Sequence, residues 1–206
     1  MQQQSLAITR EIGDRHGEAN SLNGLGSAYY SLGQYPQAFD FYEQSLAITR
    51  EIGDHQGEAN SLGNLGNVYD SLGEYSQAIN LQQQSLAITR EIGDHNGEAK
   101  SLGNLGTAYH SLGQYPQAID FQQQALAIKR EIGDLLGEGA SLFNIGNALS
   151  QLNQHYEALQ HYQQALAIYE ALKLDHMIER CKTAIAKQNR IIAAQEIAAP
   201  AISEAD

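Results

Sequence analysis

The feature that most constrains this chain is an internal repeat about 40 residues long. Residues 57–94 are closely reproduced at 17–54 and 97–134, and a more divergent copy begins at residue 137. A period of this length is typical of proteins built from stacked supersecondary units. Each unit then buries its apolar face against its neighbours, and there is no single central core. We therefore expect a linear array rather than one globular domain.

Each copy predicts two antiparallel helices, A and B, with recognisable ends. In the second copy, Asp54 is placed to cap helix A by accepting a hydrogen bond from a backbone N–H of the first turn. Gly73 is placed to end the helix in the left-handed conformation. Helix B is expected over residues 76–92, followed by Gly93 and the next cap, Asp94. The predicted apolar stripe of helix A consists of Leu62, Leu65, Tyr69 and Leu72.

These signals predict an all-α fold, a right-handed α-solenoid of helical hairpins. We expect a half-repeat at residues 1–14 and full repeats at 15–54, 55–94, 95–134 and 135–172. A capping helix over residues 173–199, with Asp175 as its N-cap, and a disordered tail over 200–206 complete the prediction. The sequence begins inside a helix pattern, so this half-helix is either an N-terminal cap or the start of a piece cut from a longer array. We favour the second interpretation, because Leu6 and Ile8 keep the apolar residues that a cap tends to replace.

The charge balance excludes several classes of partner. Lys and Arg number 12 against 24 Asp and Glu, which gives a formal net charge of -12. Nucleic acids and anionic membrane surfaces both require clustered basic residues. Cys181 is the only cysteine, so neither a disulfide framework nor a CxxC zinc site is possible. We expect a soluble protein of a reducing compartment, in the cytoplasm.

Small and apolar residues recur in register within each copy. The second copy has Leu62, Leu65-Gly66, Tyr69 and Ala78, with Gln82 at a later position where the first and fourth copies have Tyr42 and Tyr162. This pattern resembles the tetratricopeptide repeat. The long period and the Leu65-Gly66-Asn67 tripeptide resemble its Leu-Gly-Asn branch, which contains the LGN/Pins adaptors, and kinesin light chain repeats. The near-identity of the copies favours the bacterial, especially cyanobacterial, arrays of this type.

The resemblance implies a concave groove, lined by the A helices, that binds a segment of another protein. Asparagine suits such a groove because its amide both donates and accepts, and Asn64, Asn104 and Asn144 are expected to form a ladder. The alternative is that these amides cap turns or bond within the repeat. The implied groove residues are Asn20, Asn23, Ser27, Tyr30, Asn60, Asn64, Asn67, Asp70, Lys100, Asn104, Thr107, His110, Asn144, Asn147 and Ser150.

The charge of the implied groove narrows the kind of partner. Lys100 is the only basic residue among these positions, so the resemblance does not extend to members that clamp a C-terminal carboxylate. An acidic, asparagine-rich groove suits a neutral or basic segment.

The sequence offers no constellation for catalysis, a cofactor or a metal. His55 and His95 recur in loops, without a local His-x3-His pair. Asp54 and Glu58 are explained by the electrostatics of a helix start. We therefore predict a non-enzymatic scaffold for protein–protein interaction. Two alternatives stay open: a regulatory or sensor segment of a larger signalling protein, and a self-associating structural array.

Overall fold

The backbone is described for residues 2–203 of the computed structural model, and side chains for residues 4–197. Ten helices and no strand occur in this described range. The helices are α1 (Gln2–Glu11), α2 (Arg15–Ser31), α3 (Tyr35–Ile52), α4 (His55–Ser71), α5 (Tyr75–Glu91), α6 (His95–Ser111), α7 (Tyr115–Glu131), α8 (Leu135–Gln151), α9 (His155–Ala171) and α10 (Asp175–Ser203).

The helices pack in chain order within two compact units, Met1–Leu112 and Gly113–Asp206. In the first unit, each helix from α1 to α6 contacts the next, and α4 also contacts both α2 and α6. In the second unit, α7 packs against α8, α8 against α9, and α9 against α10. The predicted all-α solenoid of hairpins is therefore confirmed.

The predicted helix starts and ends are confirmed in the second copy. The Asp54 carboxylate accepts a hydrogen bond from the Gly57 N–H at 2.9 Å, and Gly53 has a left-handed backbone with φ of 70°. Gly73 also lies in the left-handed region, with φ of 79°. The fourth copy lacks both glycines and places Asn153 and Lys173 in the same conformation, with φ of 61° and 56°.

Three details of the prediction differ from the structure. Leu72, assigned to the apolar stripe, is 49% exposed because it lies at the C-terminal cap, beyond the last turn that faces the core. Asp175 lies inside the first turn of α10, because the Leu174 carbonyl already accepts the Ile178 N–H. The backbone of α10 is helical to Ser203, where a disordered tail was expected from residue 200, and residues 204–206 lie outside the described range.

Small residues allow the A and B helices of one hairpin to approach closely. A Cβ atom built on Gly66 would lie 2.7 Å from Nε2 of Gln82, and one on Gly26 would lie 2.6 Å from the Tyr42 ring. Both distances are shorter than a non-bonded contact allows. The glycine of the Leu-Gly pair is therefore required by packing, in interiors with few spare voids.

Hydrogen bonds between buried side chains join each B helix to the A helix that follows. Ser61 donates to Ser45 at 3.1 Å, and Ser85 pairs with Ser101 at 3.0 Å. In the second unit Ala125 stands where Ser85 stands in the first, and the Lys129 ammonium instead donates to Ser141 at 2.9 Å. Burial lowers the pKa of Lys129, an effect that Asp134 opposes.

Ion pairs tie the same helices together near the loops. Arg50 donates to Glu58 at 2.8 Å, from the end of α3 to the first turn of α4. Equivalent pairs join Arg10 to Glu18, Arg90 to Glu98 and Arg130 to Glu138. Because the arginine side chains are about half exposed, water screens these ion pairs, and each stabilises the fold by at most about 1 kcal/mol.

Candidate peptide-binding cleft

Several of the predicted groove residues meet in one cleft of the first unit. The cleft lies between α4 and α6, has α5 as its floor and encloses about 260 Å³. Predicted residues form both walls, whereas the floor residues were not predicted. The walls carry Asn60, Asn64 and Asn67 from α4 and Lys100 and Asn104 from α6, and the floor carries Gln82, Ser85 and Thr89.

Whether such a cleft is open depends on the residue at one repeat position, which is Asn23 in the first copy and Gly63 in the second. Between α2 and α4, Asn23 donates to Ser61 at 3.4 Å and accepts from Asn64 at 3.0 Å, so its amide occupies the space. The second copy has Gly63 at that position, and no side chain fills the gap. The hydrogen bond of Asn64 therefore goes to Asn23, one position out of the predicted ladder register.

The floor of the cleft is lowered by Gln82. In the first and fourth hairpins a tyrosine lies at this position, whereas the third has Gln122: Tyr42 donates to Ser27 at 3.1 Å, and Tyr162 donates to Asn147 at 2.8 Å. Gln82 is shorter than tyrosine and leaves part of that volume open. Its Nε2 donates to the Gly63 carbonyl at 2.8 Å and to Asn67 Oδ1 at 3.0 Å. The sequence signal for this site was the missing aromatic residue of the signature.

A smaller cavity of about 30 Å³ adjoins the cleft towards the C-terminal ends of α4 and α6. It shares Asn67, Gln82 and Asn104 with the cleft and adds Asp70 and Thr107. Oδ1 of Asp70 and Oε1 of Gln82 are buried and have no hydrogen-bond partner among the described residues. Burial also raises the pKa of the Asp70 carboxyl. The groove thus has a cation, Lys100, at one end and a carboxyl group at the other.

The remaining predicted residues do not line the α4–α6 cleft itself. Asn20 is exposed on α2 and is not among the residues that line the α4–α6 cleft. Tyr30 pairs with Ser71 at 2.8 Å, and Thr107 donates to the Gly103 carbonyl of its own helix at 3.1 Å. These bonds match the alternative in which polar groups bond within the array. Three predicted residues lie half-buried on α8 of the second unit, where Asn147 accepts from Tyr162 and Ser150 accepts from Gln188: Asn144, Asn147 and Ser150.

One predicted position carries a histidine. His110 is half-buried on α6, and burial lowers its pKa. The imidazole is therefore less easily protonated than a solvated histidine.

A second cleft, of about 400 Å³, lies between α8 and α10 in the second unit. Phe143 contributes an apolar surface, and the Arg180 guanidinium lies 5.0 Å from the centre of its ring, a cation–π distance. His176 and Lys187 also line this cleft.

The described residues form neither a metal site nor a membrane-spanning helix. No group of three His, Cys, Asp or Glu side chains that could hold a metal ion occurs in the part of the chain that the structure describes. None of the helices, over the same residues, is long and apolar enough to cross a membrane. Cys181 is fully buried, and burial raises the pKa of its thiol, which disfavours the reactive thiolate. The α4–α6 cleft can therefore offer hydrogen bonds and the two charged groups at its ends.

Solved structures of three proteins share this fold at low sequence identity. BtubC (BKLC) from P. vanneervenii is 16% identical with a TM-score of 0.74, and the match covers 95% of this chain and 89% of that chain. The putative kinesin light chain TPR-like repeats from Podosopora anserina are 22% identical with a TM-score of 0.71, and the match covers 90% of this chain and 91% of that chain. The third is a Rap protein complexed with Competence and Sporulation Factor (16%, 0.74, 91% and 53%), so this chain spans about half of its length. No curated protein sequence matches this chain.

The sequence itself matches a family profile over most of its length. The profile of the tetratricopeptide repeat matches four overlapping ranges, residues 1–51, 33–91, 59–131 and 98–171. These ranges include every helix from α1 to α9. The repeat period, the Leu-Gly packing position and the paired helices all agree with this match. The chain belongs to the tetratricopeptide repeat family.

Proposed function

We propose that this chain is a non-enzymatic scaffold that binds a peptide segment of a partner protein along its A helices, with the α4–α6 cleft as the principal contact. The observation that carries the proposal is the convergence of Asn60, Asn64, Asn67, Lys100 and Asn104 on one cleft from two successive A helices. Amide side chains can pair with a peptide backbone whatever its sequence. Rigid helices also lose little conformational freedom when they bind.

The comparisons support the class of partner. Tetratricopeptide repeats are protein-interaction modules, and the Rap protein of similar fold is complexed with Competence and Sporulation Factor. We further propose that the chain belongs to the Leu-Gly-Asn branch, as a bacterial array, because it contains the Leu65-Gly66-Asn67 tripeptide and its first copies are nearly identical. A cytoplasmic location and the repeat boundaries at residues 15, 55, 95 and 135 are part of the same proposal.

The test begins with peptides selected from a displayed random library against the wild-type chain. Their affinities are then measured by isothermal titration calorimetry for the wild type and for the double variant Asn64→Ala plus Asn104→Ala. Each lost hydrogen bond removes about 1 kcal/mol, so we expect binding to weaken about 10- to 30-fold. The matched control is Asn80→Ala plus Gln83→Ala, which removes two amides from the exposed face of α5.

The proposal fails if selected peptides bind the cleft variant and the wild type equally well. Circular dichroism of each variant shows whether helical content is unchanged. The test does not use Asn67 or Asn147, because their oxygens already accept hydrogen bonds from Gln82 and Tyr162, whereas the bond from Asn64 to Asn23 uses the Nδ2 atom of Asn64.

Self-association is a second candidate function, favoured by one observation. Leu135 and Leu136 are 49% and 54% exposed, at positions where the second copy has His55 and Gln56. Exposed neighbouring leucines are common at protein–protein contacts. Light scattering over a concentration series tests this candidate, with Leu135→His plus Leu136→Gln as the variant that should remove any increase in mass. A constant monomer mass for the wild type excludes it.

A further inference from the structure

The contact between α2 and α4 shows how an amide side chain fits between two successive A helices. Asn23 lies in that gap, where its Nδ2 donates to Ser61 Oγ at 3.4 Å and its Oδ1 accepts from Asn64 Nδ2 at 3.0 Å. Ser61 can accept this bond because its own proton goes to Ser45 Oγ at 3.1 Å. A carboxamide group therefore finds one acceptor and one donor between these helices.

The next contact, between α4 and α6, has the same framework without the amide. Gly63 stands where Asn23 stands in the first copy, and Ser101 and Asn104 stand where Ser61 and Asn64 stand. The preceding B helix joins each contact in the same way: the buried serine pair measures 3.1 Å at the first and 3.0 Å at the second, and the ion pair near the loop measures 2.8 Å at both. The second contact therefore keeps the place of an amide that the chain itself does not supply.

Ser101 can act as an acceptor there, as Ser61 does at the first contact. The Ser85 hydroxyl donates to the Ala59 carbonyl at 2.9 Å, so the bond of 3.0 Å between Ser85 and Ser101 uses the proton of Ser101. A hydroxyl group has one proton and two lone pairs. Ser101 Oγ therefore keeps its lone pairs for a donor from outside the chain.

Gln82 adds a second acceptor beside the same place. It is 1% exposed, and its Nε2 donates to the Gly63 carbonyl at 2.8 Å, which can only accept, so Oε1 faces away from that carbonyl. Oε1 has no hydrogen-bond partner among the described residues. A Cβ built on Gly63 would lie 3.8 Å from this oxygen and 3.5 Å from Ser85 Oγ. The unpaired acceptor thus borders the space that a side chain at residue 63 would enter, and buried acceptors are generally paired with a donor.

We propose that this part of the α4–α6 cleft binds a carboxamide group, the head of an asparagine or glutamine side chain in the partner segment. This inference rests on the proposed function, and it names the residue type that the partner supplies. The two N–H groups of the carboxamide donate to Ser101 Oγ and Gln82 Oε1, and its oxygen accepts from Asn104 Nδ2. An ammonium group has no acceptor for Asn104, and an ionised carboxylate has no donor for the two oxygens. The cleft of about 260 Å³ has room for such a side chain beside Gly63.

The first experiment uses small probes and does not depend on any peptide. The wild-type chain is titrated with propionamide and, separately, with 2-butanone, which has the same shape with a methyl group in place of the NH₂ group, while side-chain amide signals are followed by NMR. We expect propionamide to shift the signals of Gln82 and Asn104 with a Kd on the order of 10 mM. The ketone should cause no saturable shift at either residue. Equal binding of the two probes, or no saturable binding of either, would overturn the proposal.

Two variants exchange the residues of the two contacts. Gly63→Asn supplies the amide from the chain itself; its Cβ makes only ordinary contacts, so the variant should fold and lose propionamide binding. Asn23→Gly opens the equivalent place between α2 and α4 and should add a second site, detected as a saturable shift of the Asn64 side-chain signal. That second site should be weaker, because Tyr42 stands there in place of Gln82. Propionamide binding that Gly63→Asn leaves unchanged would refute the assignment.

Two further variants test the remaining contacts. Asn104→Ala removes the donor for the carboxamide oxygen and should weaken propionamide about fivefold. Gln83→Ala removes an amide from the exposed face of α5 and, as the control, should bind like the wild type. Equal affinities of Asn104→Ala and Gln83→Ala would place the probe elsewhere and contradict the proposal.

The second experiment separates this inference from the proposed function. Peptides selected against the wild type should show asparagine or glutamine at one fixed position, and peptides selected against Gly63→Asn should not. Peptides that bind the cleft without this preference would refute the subsite and leave the scaffold function intact. Binding of propionamide together with failure to select any peptide would support the subsite and refute the scaffold function.

Discussion

The fit between the A and B helices can be tested with two glycines, Gly63 and Gly26, that each follow a leucine in an A helix. In a helix interior, replacement of glycine by alanine stabilises a protein by about 0.5–1 kcal/mol if the new methyl group has room. At Gly63 the added Cβ would meet Ser85 Oγ at 3.5 Å and Gln82 Oε1 at 3.8 Å, which are ordinary contacts. Gly63→Ala should therefore stabilise the first unit by that amount.

Gly26→Ala should have the opposite effect. Its Cβ would lie 2.6 Å and 2.7 Å from two carbons of the Tyr42 ring, which is 3% exposed and bonded to Ser27 through its hydroxyl. Overpacking of this kind costs about 1–3 kcal/mol. After subtraction of the gain in helix propensity, we expect a net destabilisation of about 1–2 kcal/mol. The two variants should therefore differ by about 2 kcal/mol.

The assay is urea unfolding followed by circular dichroism at 222 nm. Repeat arrays can unfold in parts, so amide hydrogen exchange of α2 and α3 should accompany it and show faster exchange in Gly26→Ala alone. If Gly26→Ala raised the unfolding midpoint as Gly63→Ala does, the close approach of α2 and α3 described here would be wrong.

Three further predictions concern helix ends and charge. Lys173→Gly should stabilise the chain by about 0.5–1 kcal/mol, because residue 173 has the left-handed backbone that glycine tolerates; thermal unfolding measures this, and a lower midpoint would contradict it. Asp54→Ala should cost about 1 kcal/mol through loss of the hydrogen bond to Gly57, whereas Asp40→Ala, on an exposed helix face, should change the urea midpoint little. The hydrogen bond from Arg10, and after it the one from Arg15, holds the pKa of Glu18 below its ordinary value, against the opposing effect of burial. That stabilisation is present above the unfolded-state pKa and is lost as pH falls through the folded-state pKa, so wild type should lose more stability than Glu18→Gln between about pH 5 and pH 3 in urea titrations.

The helix ends were predictable because each depends on one local interaction. The Asp54 cap and the left-handed Gly73 each depend on residues a few positions apart, and both were found as expected. The position of Leu72 was not, because period alone does not show where a helix stops facing the core. An exposed cap and a buried last turn have the same spacing in the sequence.

The site was predictable only in outline. Periodicity places Asn64 and Asn104 on successive A helices, but the hydrogen bond of Asn64 to Asn23 depends on which neighbouring side chains reach that space. Gln82 was visible as a departure from the signature, yet its consequence required the position of the Gly63 carbonyl. Sequence periodicity shows which face of a helix a residue lies on, whereas its hydrogen-bond partner depends on the side chains of the neighbouring copy.

The serine pairs between hairpins bear on how such a gene can change in length. Recombination between the first and second copies would delete one period, for example residues 55–94, and bring Ser45 before Ser101. The new junction would carry the same hydroxyl pair that now joins Ser45 to Ser61, and Arg50 would precede Glu98 as it now precedes Glu58. Unequal crossing-over can therefore shorten or lengthen the array by whole periods while every seam between hairpins keeps its buried bond and its surface ion pair.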